Sequence, residues 1–206
     1  MVMERDSFGL SAIGEILLAS GGRSNNGGSL SSVEVFTLEA GWRLESKLDM
    51  GATKDSHCSV AIGSWLYTIG GGVGGTTLDY VSNMVEALDT SLMSTNDSIT
   101  WVKKASMMEK RWSHGCHVGV FERQEGIFVA GGNDERGLVL ASAEFYNPET
   151  DMWRAIGSLK TARAYFPMTK LGKQLIISGG EPAGPLPSVE TWNGSSWDEL
   201  NNNLKV

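Results

Sequence analysis

The chain has 206 residues, of which 41% are hydrophobic and 20% charged, and its formal net charge at pH 7 is −7. This composition is that of a globular protein, and the length suffices for one well-buried core or two small ones. The negative charge disfavours nonspecific nucleic-acid binding, and no apolar run approaches the roughly 18 residues of a membrane span, so we expect neither a nucleic acid nor a membrane as partner.

Two features of the chain bear on its cellular location, the N-terminus and the cysteines. Three of the first six residues are charged, and the segment lacks the apolar core of a signal peptide. Cys58 and Cys116 are the only cysteines, too few for a disulfide-stapled scaffold. We therefore expect both thiols to stay reduced and the protein to be cytoplasmic.

Four copies of one pattern follow one another along the chain. In each copy a short hydrophobic stretch ends in two glycines, a Glu follows after Val or Ala, and a Trp closes the unit. The glycines are Gly21, Gly22, Gly70, Gly71, Gly131, Gly132, Gly179 and Gly180; the acids are Glu34, Glu86, Glu144 and Glu190; the indoles are Trp42, Trp101, Trp153 and Trp197. Successive glycine pairs are 49, 61 and 48 residues apart. A period of about 50 residues indicates a solenoid, a propeller or an array.

Each copy predicts four short strands, which we name A to D in chain order. Short apolar stretches predict strand A at 8–13, 58–62, 116–121 and 165–171, and strand B at 16–20, 65–69, 127–130 and 175–178. Strand C carries the Glu and strand D the Trp. The turn between A and B is tight except at 122–126, and residues 90–98 predict a polar loop between C and D of the second copy. Four such strands form one propeller blade.

The recurring residues have scaffold roles in this interpretation. A glycine pair ends strand B where a neighbouring chain comes near, since Gly has no Cβ and tolerates positive φ. An aromatic residue two positions after the Glu and the Trp of strand D fill the space between blades. The Glu is predicted to be a half-buried acceptor that ties strands together.

The third copy carries the clearest family resemblance, with IFVAGG at 127–132, AEFYNP at 143–148 and then Trp153. It resembles the Kelch repeat, and the resemblance extends over 7–200. It implies an all-β, Kelch-type β-propeller of four four-stranded blades, at about 7–48, 55–106, 111–158 and 163–200, with a polar tail at 201–206. The second copy departs from the pattern, since Leu88 replaces the aromatic residue. Kelch propellers most often resemble six-bladed rings, so the four blades either close alone, form part of a longer protein, or make a partial ring.

The loops of a propeller emerge on two faces. The B–C loops and the D–A connections share one face, which we call the loop face, and most loop bases fall on it. In Kelch proteins this face grips a peptide of a partner protein, often an acidic one. Carried over by position, the implied partner contacts are Arg23, Asn25, Lys54, Arg111, Trp112, Asn133, Arg163 and Tyr165. Arg binds carboxylates in bidentate fashion, and exposed aromatic rings act as anchors.

Metal and catalytic chemistry find little support. His57, His114 and His117 accompany the two cysteines, but His57 and His114 are the same repeat position and the spacing favours strand packing over ligation. The four Glu residues recur at one position, which argues for the scaffold rather than for catalysis. We expect no metal, no cofactor and no catalytic residue.

These observations predict a noncatalytic protein–protein interaction module. The Kelch resemblance implies a substrate-recognition part of a ubiquitin ligase adaptor, or an actin-associated protein. Two alternatives stay open. One is an enzyme on a Kelch scaffold, similar to sugar oxidases or epimerases, and the other is an inactive fragment of a larger Kelch protein. The oligomeric state is also open.

Overall fold

The computed structural model describes residues 1–74, 81–94, 99–181 and 184–200. It divides into two compact units, unit 1 at Met1–Lys104 and unit 2 at Ala105–Val206. Each unit contains two four-stranded antiparallel sheets in which strands A, B, C and D pair in chain order. These sheets are β-propeller blades, which confirms the predicted fold class. The predicted tail at 201–206 lies outside the described residues.

The strand bounds follow the prediction closely. In unit 1, strands A to D are Gly9–Ile13, Ile16–Ser20, Val33–Thr37 and Gly41–Leu44 in blade 1, and Cys58–Ile62, Trp65–Ile69, Val85–Asp89 and Val102–Lys104 in blade 2. In unit 2 they are Gly115–Phe121, Gln124–Ala130, Ala143–Asn147 and Met152–Ile156 in blade 3, and Met168–Leu171, Gln174–Ser178, Val189–Trp192 and Trp197–Glu199 in blade 4. A short ribbon pairs Lys54–Asp55 with Gly72–Val73. No described helix is long and apolar enough to span a membrane.

The longer turn expected at 122–126 is wrong. Strands A and B of blade 3 both continue until Phe121 pairs with Gln124, which leaves a two-residue turn. Glu122 (φ 49°) and Arg123 (φ 69°) both adopt positive φ, the pattern of a type I′ hairpin turn. In the other blades a Gly takes the first turn position, so the sequence signal of a tight turn was missing only here.

Two further predictions change in detail. Strand A of blade 4 begins at Met168 rather than at 165, because Tyr165 is left-handed (φ 56°) and Pro167 has no N–H to donate. The predicted polar loop at 90–98 begins as a 3-10 helix over Thr90–Ser94, and residues 95–98 lie outside the described part of the chain.

In three blades, directly opposed residues of strands C and D carry aromatic rings that pack against each other at a tilt. Ring centroids lie 5.3 Å apart for Phe36 and Trp42, 5.0 Å for Tyr146 and Trp153, and 5.5 Å for Trp192 and Trp197. In blade 2 the corresponding residue of strand C is the buried Leu88. Two of the four indoles also donate to a carbonyl, Trp101 to Leu48 and Trp153 to Ala105, each at 2.8 Å.

The glycine pair lies where consecutive blades of a unit meet. In unit 2, the N–H of Gly132 donates to the carbonyl oxygen of Arg163 at 2.8 Å. A Cβ on Gly131 would clash with the same oxygen, and a Cβ on Gly132 would lie 2.7 Å from the carbonyl oxygen of Trp112. Both glycines have positive φ, so no other residue fits without strain.

Candidate partner-binding face

A buried ion pair holds the entry to strand A in every blade, and blade 4 illustrates it. Nη1 of Arg163 donates to the carbonyl oxygens of Gly179 (2.8 Å) and Ser188 (3.2 Å), and Nη2 donates to Oε1 of Glu190 at 2.8 Å. Neither charged side chain has exposed surface. One guanidinium thus ties the D–A connection to the end of strand B and the start of strand C.

The carboxylate of this pair is held by the backbone as well. Glu190 accepts the consecutive backbone N–H groups of Lys160 and Thr161. Glu144 accepts those of Met108 and Glu109 in the same way. Both of these buried carboxylates therefore have two amide donors and a cation, and a buried charge requires such partners.

The other blades repeat the pair. Arg5 and Glu34 lie 2.8 Å apart, Arg111 and Glu144 2.9 Å, and Lys54 and Glu86 2.8 Å. We call the four pairs the base–Glu tethers. The Glu predicted to be half-buried is thus buried and ion-paired in every blade.

The tethers of blades 1 and 2 differ in how the pKa of a charged residue is shifted. Burial acts to raise the pKa of Glu34, but the N–H groups of Val2 and Met3 and the charge of Arg5 outweigh it, so the pKa is lowered. Burial lowers the pKa of Lys54, and the nearby Glu86 carboxylate offsets this only in part. A Lys has one nitrogen where Arg has a fork, so the blade 2 tether is the least well satisfied.

The structure places three of the expected partner contacts in the interior. The side chains of Lys54, Arg111 and Arg163 are completely buried and belong to the tethers. Their charges are already paired with the tether carboxylates, so we do not retain them as partner contacts. Sequence reasoning also missed Arg5, the fourth base. The signal was available, because a base recurs at one repeat position, as the Glu does.

The remaining five expected contacts lie at or beneath the surface of the loop face. Arg23 is exposed over 46% of its side chain and Asn25 is also exposed. Trp112 is half-buried, Asn133 is buried, and Tyr165 is 55% exposed. The first two belong to unit 1 and the other three to unit 2.

One backbone bridge recurs on the loop face of all four blades. The residue after the tether base pairs with a residue that follows the glycine pair by one position. The bridged pairs are Asp6 with Arg23, Asp55 with Gly72, Trp112 with Asn133, and Ala164 with Glu181. Charged, small and aromatic side chains thus occupy one repeated backbone position.

The residue after this bridge is left-handed in every blade. Its φ is 51° at Ser7, 52° at Ser56, 52° at Ser113 and 56° at Tyr165. Within each unit the second of these residues donates its N–H to the carbonyl of the first, Ser56 to Ser7 at 2.8 Å and Tyr165 to Ser113 at 2.9 Å. These bonds join the segments that lead into strand A in the two blades of each unit. Only in blade 4 does the position carry an aromatic ring.

Most exposed bases near these residues are already paired with acids. Arg23 pairs with Asp55 at 3.1 Å, and Lys110 with Glu135 at 2.6 Å. Arg136 lies 3.1 Å from Asp134. Such pairs leave little positive charge for an acidic peptide. The electrostatic argument for an acidic partner is therefore weak.

The histidines and cysteines do not form a metal site within the described residues. No group of three or more His, Cys, Asp or Glu side chains there is placed to hold an ion. His57 is buried with Nε2 3.1 Å from Oγ of Ser20. Neither Cys58 nor Cys116 is a free thiol. The expectation that both stay reduced is wrong, and cysteine usage no longer supports a reducing compartment.

Comparison with known proteins gives relatives of one kind. No protein-family model matches the chain. It is 30% identical to β-scruin of Limulus polyphemus over 106 residues, 28% identical to Kelch-like protein 26 of Danio rerio over 184 residues, and 24% identical to Kelch-like protein 15 of Homo sapiens over 197 residues. The homologues of this chain are Kelch-repeat proteins. The predicted resemblance is confirmed.

The matches cover much more of this chain than of its Kelch-repeat relatives. The matches include 52%, 87% and 87% of this chain, but only 11%, 28% and 31% of the relatives in the same order. The chain therefore spans less than a third of the length of each. What the whole relatives do comes to this chain only as a proposal.

Proposed function

We propose that the chain is a noncatalytic module that binds a protein partner through its loop face. The repeated bridge on that face carries the proposal. Its backbone pairing is the same in all four blades, whereas its side chains run from the Asp6–Arg23 pair to the Trp112–Asn133 pair. A rigid scaffold that presents different side chains from equivalent loops is the usual basis of recognition.

The tethers support the same proposal. They remove Lys54, Arg111 and Arg163 from the surface and hold the D–A connections against strands B and C. Loops held in this way lose little conformational entropy when a partner binds, which favours affinity. Three residues that the sequence predicts as partner contacts thus preorganise the loop face from the interior.

The Kelch resemblance suggests two partner classes. One is a substrate that is presented to a ubiquitin ligase, and the other is actin. Cosedimentation of the purified chain with actin filaments distinguishes them. Binding that saturates supports the actin class, and its absence while another partner is captured supports the substrate class.

The loop face is tested by capture of partners with immobilised chain. Asn25→Ala and Tyr165→Ser change exposed residues of the two units, and the control Met152→Ser changes an exposed residue at the opposite end of blade 3. We expect the first two variants to lose a specifically captured protein that the control retains. Buried Arg111 and Arg163 are unsuitable for this test, because their replacement would disturb the fold.

A result of the opposite kind would contradict the proposal. Equal capture by all three variants would exclude the loop face as the binding surface. Stoichiometric copper binding in a metal titration, with a spectroscopic signature of ligation, would favour the enzyme alternative instead.

A further inference from the structure

We propose that the loop face of unit 2 binds an uncharged, proline-rich segment of the partner. The site consists of Trp112, Asn133 and Tyr165, which we call the aromatic corner. This inference rests on the proposed function and adds the chemistry of the partner to it.

Backbone pairing sets the geometry of the aromatic corner. The N–H of Trp112 donates to the carbonyl of Asn133 at 3.1 Å, and the N–H of Asn133 donates back at 2.9 Å. Residues paired in this way project their side chains to the same side of the ribbon. Tyr165 completes the corner, with its ring centroid 5.6 Å from that of Trp112 and the two planes at 88°.

Tyr165 stands in an unusual backbone conformation for its size. Its φ of 56° is one that bulky residues rarely adopt, and the equivalent positions hold Ser7, Ser56 and Ser113. The residue as a whole is 55% exposed, so the interior does not require an aromatic ring here. A strained, exposed aromatic residue where the other blades carry Ser points to a role in binding.

Two donors at the aromatic corner lack an acceptor. Nε1 of Trp112 and Nδ2 of Asn133 are both buried without a hydrogen-bond partner in the described part of the chain. Leaving a buried donor unbonded is unfavourable, and a carbonyl supplied by a ligand would satisfy it. The Tyr165 ring packs edge to face against the Trp112 ring, so rotation of this exposed side chain changes the access to the indole.

These features select the chemistry of the ligand. The corner offers N–H donors and flat apolar rings, and the charge of Lys110, two residues before Trp112, is paired with Glu135 at 2.6 Å. A polyproline II segment presents carbonyl acceptors and pyrrolidine rings, and its proline residues have no N–H that would need an acceptor. Aromatic grooves bind such segments because the ligand is already extended and little entropy is lost.

The proposal is tested by calorimetric titration of the full chain with three peptides of equal length. One is proline-rich and uncharged, one is rich in Asp and Glu, and one is rich in Lys and Arg. We expect only the proline-rich peptide to bind, with an affinity that changes little between low and high salt, since no ion pair forms. Stronger binding of either charged peptide would overturn the proposal, as would binding of none.

Three variants locate the site. Trp112→Phe keeps an aromatic ring and removes the N–H, and we expect about tenfold weaker binding from the lost hydrogen bond. Tyr165→Ser introduces the residue that the other blades carry at the same φ, so we expect weaker binding with an unchanged unfolding midpoint. Met152→Ser, remote from the corner, should leave the affinity unchanged.

The outcomes separate this inference from the proposed function. Proline-rich binding that survives both Trp112→Phe and Tyr165→Ser would overturn the aromatic corner as the site. The proposed function would still stand if Asn25→Ala reduced capture of a partner protein. Both would fail if neither peptide binding nor partner capture depended on the loop face.

Discussion

The guanidinium of Arg163 lies 2.8 Å from the carboxylate of Glu190, and neither side chain has any exposed surface. Arg163 also satisfies the carbonyl oxygens of Gly179 and Ser188. The ion pair thus joins three backbone segments of blade 4: the D–A connection, the end of strand B and the start of strand C. Replacing Arg163 alone would leave a buried carboxylate charge and several unsatisfied acceptors, whereas an exposed ion pair can be lost without such a penalty.

We therefore expect Arg163→Met to lower the free energy of unfolding by about 3–5 kcal/mol. Urea unfolding followed by tryptophan fluorescence measures this change. Arg136→Met is the control, because its pair with Asp134 is 76% exposed at the arginine and its loss should cost less than about 1 kcal/mol. Equal losses in the two variants would contradict a structural role for the tether.

The glycine pair gives a second prediction. Gly131→Ala places a Cβ against the carbonyl oxygen of Arg163 and also forces a non-glycine residue to φ 61°. Gly137→Ala imposes a similar φ of 77° where nothing lies within 4 Å. We expect about 1–2 kcal/mol of destabilisation for Gly137→Ala and clearly more for Gly131→Ala, by a further 1–3 kcal/mol or so. Indistinguishable thermal midpoints would argue against close approach of the blades.

The indole hydrogen bonds are tested by a matched pair of tryptophans. Trp153 and Trp42 both pack at a tilt against an aromatic residue of strand C, but only Trp153 has an acceptor within the described residues, the carbonyl of Ala105 at 2.8 Å. Trp153→Phe should cost about 1–2 kcal/mol more than Trp42→Phe, since it leaves that carbonyl unsatisfied. Chemical denaturation of both variants provides the comparison, and a larger loss for Trp42→Phe would refute it.

We expect acid to lower the free energy of unfolding of unit 1, because His57 is buried in the folded chain. Burial, together with the charge of Lys54, lowers the pKa of His57 to about 3, against the partial opposition of Asp55. The unfolded chain takes up this proton near pH 6.5 and the folded chain only near pH 3. Stability from this group is therefore complete above pH 6.5 and is lost as the pH falls, by about 2–3 kcal/mol at pH 4.5.

The variant His57→Gln isolates this effect. It can still donate a hydrogen bond towards Ser20, but it does not titrate. The free energy of unfolding is measured for both proteins between pH 7 and pH 4.5, and the original protein should lose more of it. Parallel pH profiles would mean that His57 has the same pKa in the folded and unfolded chain, and would contradict the prediction.

The sequence by itself determined the blades. Glycine pairs, apolar stretches and tryptophans recur at a fixed order, and short strands depend on neighbours a few residues away, so most of the predicted strands agree with the structure. The exceptions are local too. Glu122 and Arg123 form a tight turn without the glycine that indicates such a turn in the other blades. Tyr165 has a left-handed backbone conformation although its side chain favours a strand.

Only the tertiary structure decided where the bases point. The tether partners are 29 residues apart for Arg5 and Glu34, 33 for Arg111 and Glu144, and 27 for the blade 4 pair. Their meeting depends on the path of two strands and a loop between them, which no local pattern encodes. Loop position alone therefore predicts a base at the surface. In the structure the base lies in the interior, because a buried carboxylate must have a cation and donors around it.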